Sequence, residues 1–353
     1  MHVKVMSNFA ILWVSTRKEL VPMLKQFTVR NFKCYGKQGA TFDLSRITFI
    51  YGNNSVGKSS FLEALDILDK AQRNNRGLVI RSDGFKNGQI TAEDEWSLKC
   101  SDSAGNAHDW VLSCNREAQW TLMDRATPER VSEPLYNQCI RSVDHVKAGE
   151  AKKKAESSFE ALANGLENGQ DEDGILIQDE MVDINEMFKK LNVKYSCAVD
   201  GTLTDLDFDM PNLKVDKVGA GIRGIYRHLK SIARWKTGLL LLEEPEANVN
   251  EGQLQKLAQL LVAVALSRGE KDANAQLVVE CHSEHVLLEV LGMVADGKLK
   301  ARDVSVTYVK KDVDGSKAFT CKIDGNGALD KWPDENGFFT ARKRILFGEN
   351  EEP

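Results

Sequence analysis

Eight consecutive residues, Gly52-Asn53-Asn54-Ser55-Val56-Gly57-Lys58-Ser59, have the spacing G-x-x-x-x-G-K-[ST]. Two glycines at this spacing let the backbone curl, so that successive N–H groups point inward at phosphate oxygens. A helix starting at the end of the loop adds its partial positive charge. Lys58 is placed to reach the β- and γ-phosphates of a nucleotide, and the Ser59 hydroxyl to ligate Mg2+. Gly52, Asn53, Asn54, Ser55, Val56, Gly57, Lys58, Ser59 and Ser60 are therefore the expected nucleotide-binding residues, with ATP and Mg2+ as ligands. A second signal is Leu239-Leu240-Leu241-Leu242-Glu243-Glu244-Pro245-Glu246, an apolar run that ends in carboxylates. Glu243 is expected to join Ser59 in the Mg2+ shell, and Glu244 to polarise the attacking water. Glu243 is one methylene longer than the aspartate usual at this place, which suits contact through a metal-bound water.

Several elements must hold these residues. Ile47–Tyr51 reads as a strand that feeds the loop, and a helix from about Lys58 to Ala71 leaves it. Strand-like residues precede it at Leu24 to Phe32 and Thr41 to Leu44. Residues 90–124 carry Trp96, Trp110, Val111, Trp120 and Leu122 in short runs split by polar turns, the pattern of an antiparallel meander. Beyond residue 193 the pattern alternates. A strand-like segment runs to Asp209, and a helix starts near Gly221. The strand 239–242 is apolar throughout, as expected when both faces are buried. Helix 251–267, strand 276–281, helix 283–294 and strand 304–309 follow. This order predicts an α/β fold with a parallel sheet.

The chain has 353 residues, enough for about two domains. Its net charge of −5 means that any nucleic-acid contact must use a local basic patch. The seven cysteines are scattered and form no CxxC pair, which argues against a disulfide framework or a zinc site and fits a reducing cytosol. The one apolar run near the N-terminus, Phe9 to Val14, is too short to span a membrane. The expected division is an appendage at 1–20, an ATPase lobe with phosphate loop and β subdomain at 21–125, a partly helical insertion at 126–192, a second ATPase lobe at 193–325, and a small C-terminal segment at 326–353.

Phe27-Thr28-Val29-Arg30-Asn31-Phe32-Lys33, the phosphate loop and Phe61-Leu62-Glu63-Ala64-Leu65 together resemble the N-terminus of RecF and SMC heads, and the ATPase part of overcoming-lysogenization-defect (OLD) nucleases. Glu243-Glu244-Pro245-Glu246 and Val278-Val279-Glu280-Cys281-His282-Ser283-Glu284-His285 extend the resemblance. It implies a P-loop NTPase of the ABC/SMC-head type with an antiparallel β subdomain. It also implies that His282 is the switch histidine that contacts the γ-phosphate, with Cys281 in place of a usual threonine. Trp332-Pro333-Asp334-Glu335-Asn336-Gly337-Phe338-Phe339 resembles the W-P-x-G-F-F signature of one bacterial branch. The ABC signature L-S-G-G-Q is absent. Val218-Gly219-Ala220-Gly221-Ile222-Arg223 stands in its place, so Gly219, Gly221 and Arg223 are expected to meet the nucleotide of a neighbouring subunit. Ala247-Asn248-Val249-Asn250 replaces the x-H-L-H common in relatives. Gln72 and Gln89 are the candidates for a Mg2+-sensing glutamine.

The resemblance implies a homodimer or higher homo-oligomer formed around ATP, a separate effector such as a nuclease, possible contact with DNA, no membrane, and a part in bacterial anti-phage defence. A RecF-like ATPase acting directly on DNA and a non-hydrolysing ATP-sensing scaffold are the alternatives. Two weaker signals have plainer readings. Arg227, Lys230 and Arg234 on the helix 221–235 form either a phosphate-binding face or a solvated one with snorkelling side chains. Asp205, Asp207 and Asp209 alternate as on one strand. They suggest the metal-binding Toprim nuclease fold only if some hundred further residues of sheet existed, so an acidic strand face is the expectation.

Overall fold

A computed structural model describes residues 23–73, 96–102, 107–114, 120–124, 139–142, 176–247 and 249–333. Its centre is a six-stranded sheet in which β3 (Ile47–Tyr51), β7 (Cys139–Ser142), β11 (Leu239–Glu243), β12 (Gln276–Glu280) and β13 (Val304–Asp312) run parallel. Strand β14 (Gly315–Cys321) closes one edge antiparallel to β13. The spatial order is β14-β13-β3-β12-β11-β7. One strand, β12, thus separates the loop-bearing β3 from the acid-ended β11.

Strand side chains alternate between two apolar layers. Ile50, Leu239, Leu241, Val278 and Val309 face one way. They pack with Phe61, Leu62 and Leu65 of α1 (Lys58–Arg73) and with Phe27, Val29 and Phe42 of β1 (Leu24–Arg30) and β2 (Ala40–Asp43). Ile47, Phe49, Tyr51, Leu240, Leu242, Leu277 and Val279 face the other way. There they meet α2 (Gln178–Leu191), α3 (Ala220–Arg234), α4 (Glu251–Lys271) and α5 (Glu284–Ala295). Burial on both sides explains why β11 and β12 read as unbroken apolar runs. Helices α4 and α5 start where the sequence offers a cap: the Asn250 side chain accepts from Gln253 N–H at 3.1 Å and Ser283 Oγ from Val286 N–H at 3.3 Å.

Strands β1 and β2 join β4 (Trp96–Asp102), β5 (Ala107–Cys114) and β6 (Trp120–Asp124) in an antiparallel sheet of order β2-β1-β4-β5-β6. This is the expected meander. Three expectations need correction. Residues 139–142, placed in the insertion, are β7, an edge strand of the central sheet paired in parallel with β11. Four residues are too few for a periodic signal. Helix α2, also assigned to the insertion, packs against α3 and contributes Ile184, Met187, Phe188 and Leu191 to the core.

The single strand expected to run to Asp209 is instead a three-stranded sheet of β8 (Tyr195–Cys197), β9 (Leu203–Asp205) and β10 (Met210–Leu213). Asp205 ends β9, where it accepts from the Tyr195 hydroxyl at 2.7 Å and from the N–H groups of Asp207 and Phe208. Asp205 therefore caps a turn, Asp207 and Asp209 lie within that turn, the latter at φ 49°, and the three do not share one strand face. The appendage at 1–20, most of the insertion and the tail beyond Pro333 lie outside the described residues, as does Gln89. Among the described residues no helix is long and apolar enough to cross a membrane.

Candidate functional site

The phosphate loop leaves the end of β3 and turns into α1. Gly52 has φ 145° and Gly57 φ 108°, conformations open to glycine. Both also lie against neighbours: a Cβ on Gly52 would meet Val309 O at 2.3 Å, and one on Gly57 would meet Cys34 Sγ at 2.2 Å. The turn after β1 braces the loop from behind, since the Tyr35 hydroxyl donates to Gly57 O at 2.7 Å and Cys34 Sγ lies 3.7 Å from Val56 O. Asn53, Asn54 and Ser55 are exposed at the crest. Lys58 is 3% exposed and its ammonium donates to Gly52 O at 3.0 Å and Asn53 O at 2.9 Å. The lysine thus lies across the concave side of the loop, where phosphate oxygens would compete for it.

The two ends of β11 and β12 lie level, with Glu243 paired in register with Glu280 on the same face. The carboxylate that meets the loop is Glu280. Ser59 Oγ donates to Glu280 Oε1 at 3.0 Å, and Lys58 Nζ lies 3.8 Å from the same oxygen. Glu243, expected beside Ser59, is turned instead toward Arg141 of β7. Arg141 Nε donates to Glu243 Oε1 at 2.6 Å, its Nη2 pairs with the same oxygen, and its Nη1 lies 3.6 Å from Asp66 of α1. The reason is positional: Glu243 would have to cross β12, where Glu280 already fills the space. Burial pushes the Glu243 carboxyl up to about 7, against the pull of Arg141. Burial also raises Glu280, against Ser59 and Lys58.

Glu244 sits at φ 46°, the left-handed region, just before Pro245. Its N–H still extends the sheet to Glu280 O at 3.0 Å, and its C=O accepts from Ala247 N–H at 2.9 Å, so the chain reverses there. The turn brings Glu244 Oε1 to 3.4 Å from His282 Nε2, which in turn lies 3.9 Å from Glu280 Oε1. One ligand atom from each of Glu244, Glu280 and His282 lies within 4.8 Å of the others. Glu280 is 2% exposed, and its Oε2 is buried without a hydrogen-bond partner. The carboxylates of Glu244 and Glu280, the latter with its buried Oε2 unpaired, and the Ser59 hydroxyl form a hard-oxygen set that fits a divalent cation such as Mg2+.

Behind this cluster, Glu246 Oε1 accepts from the His282 backbone N–H at 2.5 Å, and the buried Glu246 carboxyl also meets the Cys281 thiol. Burial holds the Glu246 carboxyl above its ordinary range, and the same cause acts on the Cys281 thiol beside it. Glu280, Glu246 and Arg141 are the members to which sequence reasoning gives no role. Glu280 and Glu246 stand inside motifs read for their neighbours, and Arg141 lies on the short β7. His285 lies in the first turn of α5.

The signature-like segment is not brought to this loop. Gly219 caps α3 with φ −57°, and Arg223 Nη2 donates to Val218 O at 3.4 Å while its Nε is buried without a partner. Among the described residues, no hydrogen bond or ion pair joins Gly219, Gly221 or Arg223 to residues 52–60. The basic face of α3 is largely spent inside the fold: Lys230 is buried and Arg234 pairs with Glu180 of α2 at 3.4 Å.

The AAA ATPase domain family matches residues 23–107, which contain β1–β3, the phosphate loop and α1. The DNA replication and repair protein RecF of Rippkaea orientalis is 39% identical over 83 residues, 23% of this chain and 22% of that protein. RecF of a Synechocystis species is 38% identical over 71 residues, 20% of this chain and 18% of that protein. The match thus spans about a fifth of these relatives' length. Among solved structures, an Smc head bound to the C-winged helix domain of ScpA superposes with a TM-score of 0.54 at 13% identity, covering 86% of this chain and 98% of that one. An Smc head with an extended coiled coil, bound to a ScpA domain derived from Pyrococcus furiosus, gives 0.51 at 11% identity, covering 85% and 96%. Residues 23–107, phosphate loop included, are thus similar to the AAA ATPase domain family, and the chain has the fold of SMC heads.

Proposed function

We propose that the protein binds and hydrolyses ATP as a conformational switch, two copies closing around ATP and reopening after hydrolysis. The observation that carries this reading is the convergence of Lys58, Ser59, Glu244 and His282 around Glu280 at the ends of adjacent strands. Lys58 exchanges its bonds to Gly52 and Asn53 for phosphate oxygens. Glu244, held in a left-handed turn, is aimed to take the proton of the attacking water. A left-handed glutamate costs about 1–2 kcal/mol, a strain worth keeping only where the aim matters. His282 is held by Glu246 through its own backbone and faces the place of the γ-phosphate. Mg2+, when bound, neutralises charge on the phosphates. Binding energy for ATP that differs between open and closed pairs is what drives such a switch.

The second copy would supply Gly219, Gly221 and Arg223. Gly219 supports this, because a Cβ there would meet nothing within 4 Å and its φ suits any residue. Its own chain gives no reason for glycine, whereas a close approach from outside does. The switch is read as controlling a separate effector such as a nuclease, in anti-phage defence. The identity to RecF favours a second reading, direct action on DNA, which a strong salt dependence of DNA binding by the purified chain would support. The test of the first reading is Glu244→Gln. Turnover should fall ~10²–10⁴-fold, the share of a general base, while ATP binding stays and an ATP-dependent dimer accumulates in light scattering. Wild-type turnover in the variant would refute it.

A further inference from the structure

We propose that Glu280, at the end of β12, is the carboxylate that binds the divalent cation beside the nucleotide, in the place expected of Glu243. The inference rests on the ATP-binding reading above. Strand order carries it first. Neighbouring strands lie about 4.8 Å apart, so β11 is some 10 Å from the loop-bearing β3, and β12 stands between them. Glu243 and Glu280 are level and on one face, and the nearer acid takes the position over Ser59.

The partners of each acid point the same way. Glu243 is engaged by Arg141, which also reaches Asp66. Glu280 is 2% exposed and keeps one oxygen buried with no hydrogen-bond partner. Such an oxygen is costly unless something binds it. Glu244 and His282 stand within reach of the same point. A plainer role for Glu280 is to neutralise Lys58. That contact, at 3.8 Å, is longer than the 3.0 and 2.9 Å bonds that Lys58 makes to loop carbonyls, and it leaves the second oxygen unused.

The full chain is titrated with Mn2+ in the presence of ADP, following free Mn2+ by its EPR signal. Fluorescent ADP is titrated in parallel with EDTA and with Mg2+, and melting curves check folding. Glu280→Gln should weaken Mn2+ uptake by at least the roughly 10–100-fold that loss of even an outer-shell partner causes. Its ADP affinity in EDTA should match wild type, and Glu243→Gln should retain Mn2+. Where Glu280→Gln does not fold, Glu280→Asp keeps the charge but withdraws it by one methylene, and the same loss of Mn2+ with intact ADP binding is expected. Retention of Mn2+ by Glu280→Gln with loss in Glu243→Gln overturns the proposal. An equal loss of ADP affinity with and without metal also overturns it, leaving Glu280 as the counter-ion of Lys58. A wild-type chain that takes up no ADP in either buffer overturns the nucleotide reading itself.

Discussion

Gly57→Ala should damage the phosphate loop in two separable ways. At φ 108° an alanine is strained, by about 1–3 kcal/mol. Its Cβ would also lie 2.2 Å from Cys34 Sγ, with the Tyr35 ring at 3.3 Å. Relieving that overlap means moving Cys34 and the brace it shares with Tyr35, a further cost of about 1–3 kcal/mol. The expected loss is therefore ~2–6 kcal/mol. Cys34→Ala removes the sulfur that the new methyl meets. In the double variant the overlap disappears and the backbone strain stays, so the two changes should couple favourably by about 1–3 kcal/mol. Urea unfolding of the four proteins, followed by tryptophan fluorescence, gives the coupling. Additive effects, within about 0.5 kcal/mol, would refute the reasoning, as would a Gly57→Ala protein as stable as wild type.

Other expectations follow from the acids. The Glu243 carboxyl, pushed up to about 7 from 4.5, binds its proton more tightly in the folded state, so stability should fall as pH rises between those values. The span corresponds to about 3 kcal/mol. Arg141→Met removes the guanidinium that opposes this shift, so its melting temperature should keep falling from pH 7 to 9, relative to wild type; parallel curves would show that Arg141 does not hold Glu243. Glu244→Gly should relax the left-handed turn and leave stability unchanged or up to ~1 kcal/mol higher, yet lose turnover as Glu244→Gln does. A marked drop in its melting temperature would mean that the turn is not strained.

The loop was legible because its chemistry is local: glycines, lysine and serine at fixed spacing build it without help from distant residues. The helices and the strands β3, β11 and β12 were legible because burial on defined faces imposes a period. What was not legible depended on strand order. Nothing in the run ending at Glu243 tells that β12 will lie between it and β3, or that Glu280 is the carboxylate that meets Ser59. Strand β7 escaped because its four residues carry no period, and with it Arg141, whose charge matters only once β7 pairs with β11. The aspartates at 205, 207 and 209 looked like a strand face because alternation ignores turns. In the fold Asp205 caps a turn through its own side chain.

In the proposed switch, residues 52–59 hold the phosphates of a nucleotide and Lys58 supplies the charge for it. Titration of fluorescent ATP into the wild-type chain and into Lys58→Ala tests it most directly. Lys58 reaches across the loop to Gly52 and Asn53, and no other ammonium is bonded to those carbonyls among the described residues. Saturable binding by the wild type that is lost in Lys58→Ala, with the melting curve of the nucleotide-free protein kept, is the predicted result. Equal affinity in the two proteins would contradict it.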